Sequence, residues 1–300
     1  MKQKEFLSGK NPLLSELREM PDVRISNRIV AYFCVVLLFG ALFSALVNRI
    51  AEAMFPALQT DSAASMMLML YLTGFTILLV LLACRFGENR PLRTTGIRLK
   101  GLLPQYLTGA AAGFAMFGAA VLLAWKCGAL TFEGRSEHLS AAALTGLLLS
   151  WLVQGFSEEI SFRGWLMISS GSKGSVRNAV LQSAALFAVF HLGNHGISIP
   201  AVCNLFLFGV FAAFYVLRTG RIWGAAAMHG IWNFAQGNIF GIKVSGIDMP
   251  DSVWHFTSSE QLKWLNGGEF GMEGGIAVTA VLLTGIAVLW LLPERRRSAP

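Results

Sequence analysis

The chain has 300 residues, is 54% hydrophobic and only 14% charged, and carries a formal net charge of +7. A soluble domain is about 25% charged, so this composition excludes an ordinary water-soluble globule and points to a bilayer as solvent. The positive balance would suit nucleic acid, but the placement of the charges argues against that partner.

The first 28 residues are polar and hold Lys2, Lys4, Lys10, Arg18, Arg24 and Arg28. They are read as a cytoplasmic tail (1–28), partly amphipathic along the surface, and not as a cleavable signal. Eight uncharged stretches follow, at 29–48, 62–84, 101–125, 139–157, 178–192, 199–217, 222–242 and 274–292. Their lengths approach the roughly 20 residues that cross a bilayer. The fifth is the shortest and most polar at its ends. None alternates with period two, and hydrocarbon offers a backbone amide no partner outside its own segment, so the runs predict helices. The expected fold class is all-α: a polytopic membrane protein, a bundle of about eight transmembrane helices spanning 29–292, with its motif core at 139–242 and a cytoplasmic tail at 293–300. Gly109 and Gly113 in the third run make a small-xxx-small face suited to helix packing.

Eight crossings from a cytoplasmic N-terminus put all but five of the 24 basic residues on the cytoplasmic side. The five are Arg49, Lys126, Arg135, Lys243 and Lys263. That asymmetry is the positive-inside rule, with both termini cytoplasmic. The charge then reads as topology and anionic-lipid contact, with no nucleic acid as partner. Cys34, Cys84, Cys127 and Cys203 show no paired spacing, so neither a disulfide framework nor a zinc motif is expected. The longest external loop, 243–273, is glycine-rich and aromatic, with Trp254 and Trp264 expected at the membrane interface; a substrate-facing lid is the lesser reading.

Of the 17 acidic residues, all but Glu158 and Glu159 fall in tails or loops, where solvation is expected. These two follow the fourth apolar run and are followed by further apolar sequence. If the helix continues to the glycine-serine turn at 171–174, Glu158 lies ~20 Å from its cytoplasmic end. An ionisable group at that depth marks function by default. Arg163 stands four residues after Glu159, on the same face, and can neutralise it; Glu158 lacks that partner. Among the histidines, His138, His195 and His255 fall at helix ends or in loops, whereas His191 and His229 lie within apolar sequence, with Asn233 one turn after His229. Tilted helices bring Glu158, His191 and His229 to one depth. A lone buried histidine is usually structural; two at matching depth with an unpaired carboxylate and an amide are a site. In a dry cavity a carboxylate serves as general base on water. A histidine orients that water or relays its proton, and imidazole and amide N–H groups stabilise a developing oxyanion. Water attack on a peptide carbonyl fits this set.

Glu158-Glu159-x-x-x-Arg163, Phe187-x-x-x-His191 and His229-x-x-x-Asn233, in that order, resemble the CAAX protease and bacteriocin-processing family of intramembrane proteases, which includes the type II CAAX prenyl endopeptidases. The resemblance implies an endopeptidase in which Glu158 and His191 activate water and His229 and Asn233 form the oxyanion site. By the same carry-over, Glu159 and Arg163 support it and Phe187 packs one turn before His191. No cofactor is required on this reading. A divalent metal such as zinc, held by Glu158, His191 and His229, is the alternative, disfavoured because the H-E-x-x-H signature is absent. Membrane lipids and a membrane-associated protein or peptide, lipidated or not, are the expected partners, and a prokaryotic cell membrane is the expected location. The competing readings are a non-catalytic immunity or scaffold protein of the same family and, last, a proton-coupled transporter, which would show corresponding halves with broken helices.

Overall fold

The computed structural model describes residues 4–137 and 139–293. Lys2, His138 and the expected C-terminal tail beyond Pro293, with Arg295, Arg296 and Arg297, lie outside the described residues.

The apolar runs form helices, as backbone self-satisfaction in hydrocarbon demands. After α1 (Pro12–Arg18) come α2 (Ile29–Met54), α3 (Ser62–Leu72) and α4 (Gly74–Leu82), the last continuing into a π turn at Ala83–Gly87. Next are α5 (Leu102–Lys126) and α6 (Ala141–Glu159), which runs on through a π-wound stretch, Ile160–Met167, into α7 (Ile168–Lys173). The bundle is completed by α8 (Val176–Phe190), α9 (Ile199–Thr219), α10 (Trp223–Phe234) with a π turn at Ala235–Ile239, and α11 (Ile276–Leu291).

Among the described residues, four helices are long and apolar enough to cross a membrane: Ile29–Met54, Ser62–Gly87, Leu102–Lys126 and Ile199–Thr219. Val176–Phe190 and Ile276–Leu291 are shorter apolar helices. The chain is an all-α membrane protein. By length and hydropathy alone the expected eight crossings are not reached, since α6 and α10 carry Gln154, Glu158, Glu159, His229 and Asn233 within their own sequence.

Three features depart from expectation. A two-stranded antiparallel sheet joins β1 (Leu130–Arg135), just after α5, to β2 (Trp254–Ser258) in the long loop, and Phe132 packs on Phe256 across it. The N-terminal segment is not laid along the surface but folded onto the bundle. Leu13, Leu14 and Leu17 are buried, and Arg18 donates to the carbonyls of Gly171, Ser172 and Gly174, groups that a helix end leaves without intrahelical partners. Finally, one loop carboxylate is not solvated and a second is half-buried. Glu273 is taken up with the site. Glu88 is buried with Arg90; Trp165 Nε1 donates to Glu88 at 2.9 Å, and Arg90 donates to the Gly164 carbonyl at 2.9 Å and to Ser169 at 2.6 Å. The turn after α4 thereby clasps the π-wound stretch after α6.

Small residues set the spacing of the helices that matter most. A Cβ at Gly109 or Gly113 of α5 would collide with the Gly224 or Met228 carbonyl of α10, so the pair is the packing face its spacing predicts. On the other side of α10, a Cβ at Gly230 would lie 2.7 Å from the Trp151 carbonyl, and one at Gly155 would lie 2.6 Å from the Gly230 amide. α10 is therefore held between α5 and α6 at backbone contact, the close approach that small residues permit in membranes.

Candidate active site

Gly155 sits between Gln154 and Glu158 on α6, and Gly230 between His229 and Asn233 on α10. The contact of these glycines therefore brings the two sets of polar side chains together. α6 begins at a Ser140 cap whose Oγ accepts from the Ala143 amide, and no break separates it from the π-wound stretch that follows. Wide turns of this kind recur at functional sites.

Glu159 and Arg163 are fully buried and paired at 2.8 Å. The same Glu159 oxygen accepts from His229 Nδ1 at 3.0 Å. A carboxylate already neutralising Arg163 can only accept, so Nδ1 of His229 carries the proton and its Nε2 is turned the other way. Nε2 stands 3.7 Å from Oε2 of Glu158. The Arg163 guanidinium lies over the Phe187 ring at 4.5 Å and within 5.9 Å of the Phe162 and Phe208 rings, so aromatic faces offset part of the cost of its burial.

His191 caps the C-terminus of α8 rather than lying inside it, because the helix ends at Phe190. Its Nδ1 is 2.7 Å from the Phe187 carbonyl. A carbonyl only accepts, so this nitrogen too holds the proton, leaving the Nε2 lone pair toward Glu158 Oε2 at 4.0 Å. Phe187 packs against both imidazoles, with centroids 4.7 Å from His191 and 6.0 Å from His229. Glu158 itself accepts from Gln154 Nε2 at 2.6 Å through Oε1, while its buried Oε2 has no hydrogen-bond partner among the described residues. Asn233 Nδ2 donates to Gln154 Oε1 at 3.1 Å; its second N–H remains for another acceptor.

Glu158, His191, His229 and Asn233 thus line one cavity of about 510 Å³. A quarter of the Glu158 side chain is accessible, against 6% for His229. Trp151, Trp232, Phe187 and Phe208 supply much of the apolar wall. Glu159, Arg163 and Phe162 are not among the lining residues and lie behind the imidazoles. Two residues that sequence reasoning missed share the cavity. Gln154 was detectable: it precedes Glu158 by one turn on the same face. Glu273 was not, since the loop before α11 returns it to the bundle through tertiary contacts. Ser245 donates to its Oε2 through both backbone N–H (2.8 Å) and hydroxyl (2.9 Å), and Gln236 Nε2 does so at 3.4 Å. Burial raises the Glu273 carboxyl above its ordinary value, against the opposing effect of the Ser245 bonds and the two histidines.

As to a metal, the two Nε2 atoms converge on Glu158 Oε2 at 3.7 and 4.0 Å. Among the described residues no group of three His, Cys, Asp or Glu is arranged to hold an ion.

Fold and cavity together define a polytopic membrane protein with a histidine–carboxylate cluster enclosed by its helices. Residues 140–235 match the family model for Rce1-like type II CAAX prenyl endopeptidases, a stretch that contains all three motifs. This match supports the chain's place in the CAAX protease family. No curated protein and no solved structure matches the chain.

Proposed function

We propose that the protein is an intramembrane endopeptidase that hydrolyses a peptide bond of a membrane-associated protein or peptide, with water activated by Glu158 and His191. The observation that carries this reading is the unpartnered Glu158 Oε2, faced by two imidazole nitrogens at 3.7 and 4.0 Å. Such separations are too long for direct hydrogen bonds and suit one bridging water. Glu158 takes a proton from that water as its oxygen bonds to the scissile carbonyl carbon, with His191 Nε2 accepting the second O–H and aiming the oxygen. The carbonyl π electrons move to an oxyanion, which the free Asn233 N–H stabilises; His229 adds Nε2–H when its ring is doubly protonated. The proton then passes from Glu158 to the leaving nitrogen, the C–N bond breaks, and a carboxylic acid and an amine separate. Glu159, Arg163 and Phe187 keep the two rings in place. The cavity's apolar wall is consistent with substrates that present lipid or hydrophobic side chains.

The test is cleavage of a quenched lipopeptide panel by the purified protein in detergent, with and without chelator. Glu158→Gln and His191→Ala are expected to lower the rate by about a hundredfold or more, the usual scale of general-base catalysis, without loss of the folded state. Activity surviving both changes would refute the mechanism. Loss on chelation, restored by added zinc, would transfer Glu158, His191 and His229 to a metal-bound role.

A further inference from the structure

The cavity has a second carboxylate that the proposed hydrolysis does not use. Glu273 reaches it from the loop before α11, across from the motif helices. Its Oε2 is fixed by Ser245 and Gln236, and its Oε1 accepts no hydrogen bond among the described residues. The segment around it is also fixed: Asn204 of α9 donates to the backbone carbonyls of Glu273 and Gly275 at 2.7 and 2.9 Å and accepts from Thr279. Oε2 ties the Ser245 turn to this segment, and Oε1 is left over for a ligand.

The charge balance of the lining identifies what it meets. Among the described residues the cavity wall holds Glu158 and Glu273 but no lysine or arginine. Lys263, the nearest basic residue in sequence, pairs with Glu260, and Lys243 turns outward to Glu269 at 2.7 Å and Asp248 at 3.6 Å. Two histidines and four aromatic faces share the wall with aliphatic and amide side chains, and aromatic faces also attract cations. A half-buried carboxylate facing a cavity without a counter-charge is costly. We infer that Glu273 is a specificity-determining residue that receives a cationic group of the substrate, a lysine or arginine side chain or a protonated amine next to the scissile bond. The inference rests on the protease reading for its place in a reaction. Its geometry, one oxygen anchored and one left for a ligand, is that of a recognition group.

Two arms test it. In the first, lipopeptides differing only in lysine, norleucine or glutamate beside the scissile bond are cleaved by wild-type, Glu273→Gln and Glu273→Lys protein. Glutamine keeps the acceptor for Ser245 while removing the charge. The wild type is expected to favour lysine over norleucine in kcat/KM by about tenfold or more, the scale of a charge-assisted hydrogen bond. Glu273→Gln loses that ratio, and Glu273→Lys shifts preference toward the glutamate peptide. In the second, binding of the same intact peptides to Glu158→Gln protein, with and without Glu273→Gln, is read by fluorescence anisotropy, so that recognition is measured without turnover. If the wild type cleaves nothing, the protease reading fails while the binding arm still decides the role of Glu273. Equal lysine-to-norleucine ratios with and without the Glu273 charge, in either arm, overturn the inference.

Discussion

His229 bonds Glu159 through one nitrogen and turns the other toward Glu158 at 3.7 Å, and the two glutamates differ in everything but chemistry. Glu159 is sealed, salt-bridged to Arg163 and turned away from the cavity, whereas Glu158 is partly accessible with one oxygen unpartnered. Removing the first should therefore harm the fold and removing the second only the chemistry. Glu159→Ala leaves the Arg163 guanidinium buried without a counter-charge, which costs about 3–5 kcal/mol. Denaturant unfolding in detergent should show that loss, and Glu159→Leu combined with Arg163→Met should lose less than the single change. A stable Glu159→Ala protein would contradict the pairing. The spacing of Glu159 and Arg163 was readable because helical neighbours four apart must meet. The pairing of Glu159 with His229 was not, since it joins α6 to α10 across 70 positions of sequence. Glu88 is unsolvated and Glu273 half-buried, against expectation, for the same reason: a loop position says nothing of what the loop folds against.

Among the elements, α6 and α10 are governed by glycine. The apolar runs announced these helices, and the Gly109/Gly113 spacing announced a packing face, but nothing local shows that Gly230 meets Trp151. Gly230→Val must push the two helices apart, because even its Cβ would lie 2.7 Å from that carbonyl. We expect a marked fall in folded yield and a loss of lipopeptide cleavage in whatever protein is recovered. Gly118 on α5 has open space around its Cβ position, so Gly118→Ala provides the control and should gain about 0.5–1 kcal/mol from backbone entropy. Equal behaviour of the two variants would show that the helix contact does not set the site. The π-wound stretch after α6 and the small sheet were both invisible in the sequence. The first needs a carbonyl partner such as Arg90, far away in the chain; the second is six residues of β1 held by a strand more than a hundred positions later.

For the molecule as a whole, hydropathy and charge placement together imply more than either alone. Four helices qualify as spans without help; we propose that all eight runs cross, an arrangement that puts most of the basic residues on one side, in keeping with the positive-inside rule. In a variant free of native cysteines, Lys100→Cys should react with a membrane-impermeant thiol reagent only after the cells are opened, and Ser258→Cys should react in intact cells. The reverse pattern would invert the topology and put the loop bearing Glu273 in the cytoplasm.

If the proposed proteolysis holds, the backbone contact between Gly155 and Gly230 also governs how a polypeptide reaches Glu158. No third strand fits through a seam where two helices already touch, so a substrate cannot thread between the glutamate side of the cluster and the asparagine side. On the protease reading it lies across them, offering its carbonyl face-on, as an extended segment laid over a closed joint.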